Sequence, residues 1–231
     1  MHNNHCLWVS NSGVKVLVKA EPTELLAGRV SYVKVVGRKW ASPTGRLTCQ
    51  KIEASVSDCS LDFPSVVSRR KLVLTNPAKG TAMVALNTDD FGSFLTHPLL
   101  KPPKLDNGEI FKFSNENVSI NCDSSEIIFY GSHAGSDWTC TLSKGPESSN
   151  ALIKATPMNL SEDREETLQQ VDTSLRLTNL LTEYFNDLIF ELDGTFLSFG
   201  NLLITSKGGT PSILFALAIT VRKFPSTGLD F

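Results

Sequence analysis

Two long apolar runs near the C-terminus set the first constraint on the fold. Residues 190–199 alternate, with Phe190, Leu192 and Phe196 on one face and Glu191 and Asp193 on the other. A period of two residues predicts a β-strand. A turn-forming sequence at 207–211 leads into residues 212–221, which have no polar face. A strand that is apolar on both faces needs apolar surroundings on both, so we predict a C-terminal hairpin covered by the core, a partner or a lipid.

Shorter apolar segments bounded by Gly, Pro, Asn, Asp and Ser recur along the rest of the chain. We predict strands at 14–20, 29–36, 47–56, 69–74, 81–86, 110–113, 118–122, 126–131, 138–142 and 152–158, and a loop over 37–45. Turn signals spaced by roughly eight to twelve residues favour an antiparallel sheet over βαβ units. The polar sequence at Asn87 predicts the start of a short helix of about two turns.

One long helix is predicted late in the chain. Ser161 is its expected N-cap, and Glu165 and Glu166 place negative charge in the first turns, where the helix dipole favours it. The helix has about 25 residues, or roughly 37 Å at 1.5 Å per residue. Apolar side chains recur every three or four residues, at Leu168, Val171, Leu175, Leu181, Tyr184, Phe185 and Leu188. We predict an α+β fold in which a curved antiparallel sheet wraps around this amphipathic helix.

Composition narrows the functional classes. The net charge is −2 and the isoelectric point is about 6.1, so the basic excess typical of nucleic-acid binding is missing and we expect no nucleic-acid partner. Thirteen Phe residues against three Tyr and three Trp favour aromatic rings without a polar tip. That usage fits an apolar interior, formed by packed core or by the wall of a ligand site.

The five cysteines, Cys6, Cys49, Cys59, Cys122 and Cys140, are widely spaced and include no CxxC pair. We therefore expect no zinc site. Neighbouring strands could bring Cys49 to Cys59, and Cys122 to Cys140, as one alternative. The interpretation we favour is buried free thiols in a reducing compartment.

Catalytic motifs are missing from the sequence. It contains no GxSxG, GxxxxGK[ST], GxGxxG or HExxH. His97 fits a helix end, and Glu191 and Asp193 share a strand face either as paired carboxylates or as solvated surface acids. We expect a protein that is not an enzyme and has no cofactor and no metal.

Several segments carry a resemblance to a known family, from residue 14 onward. They are GRKW at 37–40, SP at 42–43, LTC at 47–49, RKLVLT at 70–75, AMVALN at 82–87, DF at 90–91, FLTHP at 94–98, FELDGTFLSF at 190–199 and VRKFPS at 221–226. These segments resemble the plant and cyanobacterial branch of the LmeA-like phospholipid-binding family. The resemblance implies a tubular lipid-binding fold, in which curved strands embrace a long helix, and binding of phospholipid without catalysis.

The N-terminal region departs from that family. Members carry a helical region and a targeting segment before the first strand, whereas the first predicted strand here is already at 14–20. We expect residues 1–13 to form a disordered extension and 14–231 to form a single lipid-binding-like domain that lacks the N-terminal helix. Residues 1–8 show neither signal-peptide nor transit-peptide character, so a chloroplast location is implied by the resemblance alone.

Two groups of residues are candidate contacts for a phospholipid or galactolipid. The apolar candidates for an acyl-chain groove are Leu181, Phe185, Phe190, Leu192, Phe196, Phe199, Leu203, Leu214, Phe215, Leu217 and Ile219. The basic candidates for a headgroup or membrane surface are Arg69, Arg70, Lys71, Lys79, Arg222 and Lys223. The apolar residues are also explained by packing in an ordinary core. The basic residues are also explained as charges that prevent exposed strands from pairing with other chains. The alternative function is a structural or interaction protein whose apolar C-terminal strand pairs with another subunit.

Overall fold

The computed structural model describes residues 5–11, 14–41, 46–62, 64–65, 68, 73–145, 150–159, 164–192, 194–206 and 210–223. The strands are β1 His5–Asn11, β2 Val14–Ala20, β3 Arg29–Ala41, β4 Thr48–Ser60, β5 Ala78–Leu86, β6 Lys112–Phe113, β7 Ser119–Asn121, β8 Glu126–His133, β9 Ser136–Lys144, β10 Ala151–Pro157, β11 Ile189–Leu192, β12 Thr195–Thr205 and β13 Ser212–Val221. The helices are α1 Pro22–Leu26, α2 Thr88–Leu95 and α3 Arg164–Asn186.

The strands form two antiparallel sheets. The large sheet has eight strands in the order β1-β2-β3-β4-β5-β13-β12-β11. The small sheet has the order β10-β9-β8-β6, with β7 also pairing with β8. Together with α3, which has 23 residues, they confirm an α+β fold of mostly antiparallel strand and one long helix.

The small sheet is packed on one face. Burial alternates along β8, β9 and β10, as expected when the side chains of a strand point to opposite sides of a sheet. Fully buried side chains on this face include Ile127, Phe129, Cys140, Leu142 and Ile153. They belong to the same core as the C-terminal half of α3.

Helix α3 covers the open edge of the small sheet with a row of polar side chains. Hydrogen bonds of 3.0, 3.0 and 2.9 Å run from the β10 amides of Ala155, Ile153 and Ala151 to side-chain oxygens of Thr178, Thr182 and Asn186. Four helical residues advance about 6.0 Å and two strand residues about 6.8 Å, so the two repeats stay nearly in step. The row satisfies backbone groups that an edge strand otherwise leaves open.

The apolar stripe predicted for the long helix is only half buried. Leu181 and Phe185 are 0 and 1% exposed, whereas Leu168, Val171 and Leu175 are 64, 61 and 61% exposed. The helix is roughly 35 Å long and β10 roughly 24 Å, so the strand is too short to cover the whole helix. The N-terminal half of α3 therefore presents apolar side chains to solvent.

The first C-terminal apolar run is a hairpin, and the prediction of one strand over 190–199 was wrong. β11 pairs with β12, and Leu192 lies opposite Thr195. Gly194 turns the chain with φ +84°, a backbone conformation that glycine adopts without strain. A Cβ at Gly194 would lie 2.2 Å from Cγ of Lys223. The hairpin predicted between residues 190–199 and 212–221 is confirmed as β12 and β13.

Strand β13 is an interior strand. It pairs with β12 on one side and with β5 on the other. Both of its backbone edges are therefore occupied within the chain, so neither edge of β13 is open for pairing with another subunit. Its second apolar face, at Leu214, Ala216 and Ala218, is half-buried or exposed.

Several predicted boundaries change in the structure. Residues 14–20 form β2 as predicted, but β3 continues to Ala41, so Trp40 lies on a strand and not in a loop. Most of the predicted strand at 69–74 lies outside the described residues. His5–Asn11 form β1 instead of a disordered extension, because pairing with β2 satisfies the backbone of both strands.

Candidate functional site

An apolar cavity of about 290 Å³ lies between the large sheet and the C-terminal end of α3. Of its nineteen lining residues, Thr48 and Thr195 alone carry a polar oxygen in the side chain. The lining residues are Trp40, Leu47, Thr48, Cys49, Ile52, Ala54, Ala82, Val84, Leu86, Phe94, Phe185, Leu188, Phe190, Thr195, Leu197, Phe199, Phe215, Leu217 and Ile219.

Small residues at the middle of the sheet leave room for the cavity. Ala54 on β4 and Ala82 on β5 are direct cross-strand partners, and Ala82 also lies opposite Leu217 on β13. Larger side chains, Val84 and Phe215, follow on the same face. The sheet therefore presents a shallow centre beside bulkier side chains.

Phenylalanine rings form one wall of the cavity. Ring centroids lie 6.2 Å apart for Phe94 and Phe190, 6.3 Å for Phe94 and Phe215, and 6.1 Å for Phe199 and Phe215. Such pairs contribute about 0.5 to 1.5 kcal/mol each beyond the burial of their area. The wall joins α2, β11, β12 and β13 and fixes their relative positions.

Helix α2 is anchored at the cavity margin by a buried carboxylate. The Asn87 side chain accepts from the Asp90 amide at 2.8 Å, and Asp90 accepts from the Asn87 amide at 3.2 Å, which forms a capping box. Asp90 also accepts from the Thr48 hydroxyl and, at 3.1 Å, from Gln50 Nε2. With its oxygens engaged in this way, Asp90 holds α2 against β4 and places Phe94 in the wall.

Burial keeps two of the thiols, Cys49 at the cavity and Cys140 in the small sheet, in the protonated form at neutral pH. Burial, with Asp90 nearby, raises the pKa of Cys49 to about 11, and burial raises the pKa of Cys140 to about 12. Cys49, Cys59, Cys122 and Cys140 are all free, so neither disulfide that the spacing allowed is formed. The interpretation as buried free thiols is confirmed for Cys49, Cys59 and Cys140.

A second pocket of about 670 Å³ lies beside the cavity and shares Leu188 with it. Its lining is chemically mixed and comprises Leu99, Leu100, Lys101, Tyr184, Asp187, Leu188, Ile189, Glu191 and Phe196. Burial raises the pKa of the Tyr184 hydroxyl to about 12, which keeps it protonated at neutral pH. Charged groups are thus available beside one end of an apolar cavity.

Six of the eleven apolar candidates line the cavity: Phe185, Phe190, Phe199, Phe215, Leu217 and Ile219. Four others do not. Leu181 is buried in the core that α3 shares with the small sheet, and Phe196 borders the second pocket. Leu203 and Leu214 are cross-strand partners on the opposite face of the large sheet. The Leu192 side chain lies outside the described part of the chain.

The basic candidates do not gather at the cavity. Arg69, Arg70 and Lys71 lie outside the described residues, and Lys79 is exposed on the face of the sheet opposite the cavity. The Arg222 guanidinium carbon lies 4.6 Å from the centroid of the Phe196 ring. Lys223 is exposed and lies against the Gly194 turn.

The lining residues contributed by β3, β4 and β5 were not among the sequence candidates. Trp40, Ile52, Ala54, Ala82 and Val84 belong to this group. The sequence predicts Trp40 in the loop at 37–45 and the other four in strands at 47–56 and 81–86. Which faces meet across strands far apart in sequence depends on register, and local alternation does not determine it.

Comparison of the chain with protein-family models, with curated proteins and with solved structures finds no match. The likeness to the LmeA-like family stays a prediction based on the segments quoted above. Among the described helices, none combines the length and the apolar character needed to cross a bilayer.

Proposed function

We propose that this protein binds a phospholipid, galactolipid or other membrane lipid without catalysis, with an acyl chain in the cavity between α3 and the large sheet. The supporting observation is the lining, in which seventeen of nineteen side chains are apolar. Acyl chains leave water for such a surface because burial of apolar area is favourable. The headgroup stays near solvent, beside the charged side chains of the second pocket.

The partial exposure of the cavity wall also supports a ligand. Trp40, Phe199 and Leu217 are only partly buried, so apolar side chains contact water when the cavity is empty. An acyl chain that covers this surface gains roughly 25 cal/mol per Å² of apolar area removed from water.

The size of the cavity favours a single chain segment. Its volume equals roughly that of ten liquid water molecules and lies near the lower end of the range for ligand pockets. One acyl chain, entering in part, suits this volume better than a two-chain lipid taken up whole. We place the function in lipid carriage or membrane maintenance, in a chloroplast and with the sheet curved around α3, as the family resemblance implies.

Lipid extraction and mass spectrometry test this proposal. We would purify the protein under mild conditions and compare it with Leu217→Arg, which places a charge in the cavity wall, and with Leu175→Arg on the exposed half of α3. Near-stoichiometric phospholipid or galactolipid is expected in the wild type and in Leu175→Arg, and loss of lipid in a folded Leu217→Arg. A folded wild type that is empty, and stays empty after incubation with lipid vesicles, would overturn the proposal.

A further inference from the structure

The face of the large sheet opposite the cavity carries a concentrated positive charge. Its positions on β2 to β5 alternate with inward-facing residues such as Ile52, Ala54, Ala82 and Val84. The register places six cations and one anion there: Lys15, Lys19, Lys34, Arg38, Lys51, Lys79 and Glu53. The whole chain has a net charge of −2, so this basic face is a local feature and does not reflect the composition.

Side-chain contacts confirm that these residues share one surface. Glu53 forms ion pairs with Lys34 and, at 3.0 Å, with Lys51. Lys19 Nζ lies 5.6 Å from the centroid of the Tyr32 ring on the next strand. The Glu53 carboxylate is thus engaged by two lysines, and four further cations lie on the same face.

An apolar strip continues from the basic face across β5, β13 and β12. Ala85, Leu214 and Leu203 form one cross-strand row, and Met83 and Ala216 lie in the next. Met83 is 48% exposed and Leu203 is 58% exposed. Exposed aliphatic side chains beside lysines form the combination that holds a protein at the surface of an anionic bilayer.

We infer that this face docks the protein on an anionic membrane surface. The inference goes beyond the cavity and holds whether or not the cavity takes up an acyl chain. Single-stranded nucleic acid is disfavoured because the exposed Met83 and Leu203 beside the cations are aliphatic and have no ring on which a base stacks. A second copy is disfavoured because a two-fold contact through this face would bring the two sets of cations together.

Vesicle sedimentation tests the inference. Wild-type protein should bind vesicles of equimolar phosphatidylcholine and phosphatidylglycerol, should bind phosphatidylcholine alone far more weakly, and should be released by salt. The triple variant Lys15→Gln, Arg38→Gln, Lys79→Gln should bind the anionic vesicles about a hundredfold more weakly, from roughly fivefold per cation removed. Met83→Ser with Leu203→Ser should reduce the binding that persists at high salt.

The matched control removes the same charge from the small sheet with Lys112→Gln, Lys144→Gln, Lys154→Gln. This control should bind anionic vesicles as the wild type does, and the triple variant at Lys15, Arg38 and Lys79 should still copurify with lipid, which separates docking from filling of the cavity. Equal losses in the two triple variants would show that only net charge matters and would overturn the inference. Three other results would also overturn the inference. They are a folded wild type that does not bind anionic vesicles, a basic face that binds RNA more tightly than lipid, and a basic face that is buried in a stable dimer.

Discussion

The two sheets are built from similar alternating strands but are covered to different extents. On the packed face of the small sheet, side chains such as Ile127, Phe129 and Ile153 are fully buried. On the cavity side of the large sheet, Val33, Ile52 and Ala54 are only partly buried. The large sheet has more inward-facing surface than its covering elements fill.

This difference follows from what covers each sheet. The C-terminal half of α3 packs against the small sheet and hydrogen-bonds along its β10 edge, while at the cavity the large sheet faces only one end of that helix and α2 among the described elements. The packed face of the small sheet is thus part of a close-packed core, whereas the core on the cavity side of the large sheet contains unfilled space. The same substitution should therefore change stability by different amounts in the two regions.

Truncation of a phenylalanine gives the largest expected contrast. Phe129→Ala in the small sheet should lower the free energy of unfolding by about 3 to 5 kcal/mol, because it opens a new void in a packed core. Phe199→Ala in the cavity wall should cost clearly less, because the existing space already limits its contacts. Urea denaturation of both variants measures the difference, and equal losses would contradict the distinction between the regions.

The polar row on α3 should give the next largest effect. Thr182→Val keeps the shape of the side chain but removes the acceptor for the Ile153 amide, which lies 3.0 Å from Thr182 Oγ1. An unsatisfied amide at this edge should lower stability by about 1 to 3 kcal/mol. Thr81→Val on the exposed face of β5 is the control, with an expected change within about 0.5 kcal/mol. Similar losses for both would show that the row does not stabilise the edge.

A larger side chain that fills the cavity should raise the free energy of unfolding, whereas small-to-large substitutions in a packed core usually lower it. Ala82→Val adds two methyl groups toward the open space and should stabilise lipid-free protein by about 1 kcal/mol. Ala155→Val, at a fully buried position of the small sheet, should destabilise by about 1 to 3 kcal/mol through overpacking. Thermal unfolding of delipidated samples measures whether each variant unfolds at a higher or lower temperature than the wild type. Destabilisation by Ala82→Val would indicate that the space is already filled by protein.

The smallest expected effect is a pH dependence at the cavity margin. The His97 ring lies 5.6 Å from the Phe190 ring, and burial, with a smaller contribution from Arg46, lowers the pKa of His97 below its ordinary value of 6.5. The unfolded chain therefore binds this proton more readily than the folded chain. Stability should fall as the pH drops below about 6.5, and His97→Asn should reduce that fall. An identical pH dependence in the variant would contradict this role of His97.

Much of the small sheet and of the helix pattern could be predicted from local sequence. The strands predicted at 126–131 and 138–142 extend by a few residues at their ends, and the predicted helix after Asn87 begins with a capping box. In these segments, alternation and capping chemistry act over neighbouring residues. The tertiary structure did not override them.

The hairpin at Gly194 shows why local pattern was insufficient elsewhere. The alternating pattern continues across the turn without a break. It places Phe190, Leu192, Gly194 and Phe196 at every second position, as in a single strand. The Asp-Gly pair at 193–194 was the signal that marked the turn. Without the turn, Phe196 was assigned to the cavity, whereas it borders the neighbouring pocket.

The cavity itself depends on contacts between distant segments. β5 pairs with β13, which brings Ala82 opposite Leu217, although more than a hundred residues separate them. Register between such strands is set by the whole sheet and not by either sequence alone. The sequence therefore predicted several lining residues between 185 and 219. The lining residues on β3, β4 and β5 were identified only from the structure.

Quenching of tryptophan fluorescence by brominated acyl chains tests the central claim most directly. Trp40 lines the cavity, whereas Trp138 is buried in the small sheet. In a Trp8→Phe background, a phospholipid brominated along its acyl chain should quench a variant that retains only Trp40. A variant that retains only Trp138 should be quenched far less. Quenching of Trp40 would place the chain in the cavity, and equal or absent quenching of the two residues would contradict lipid binding there.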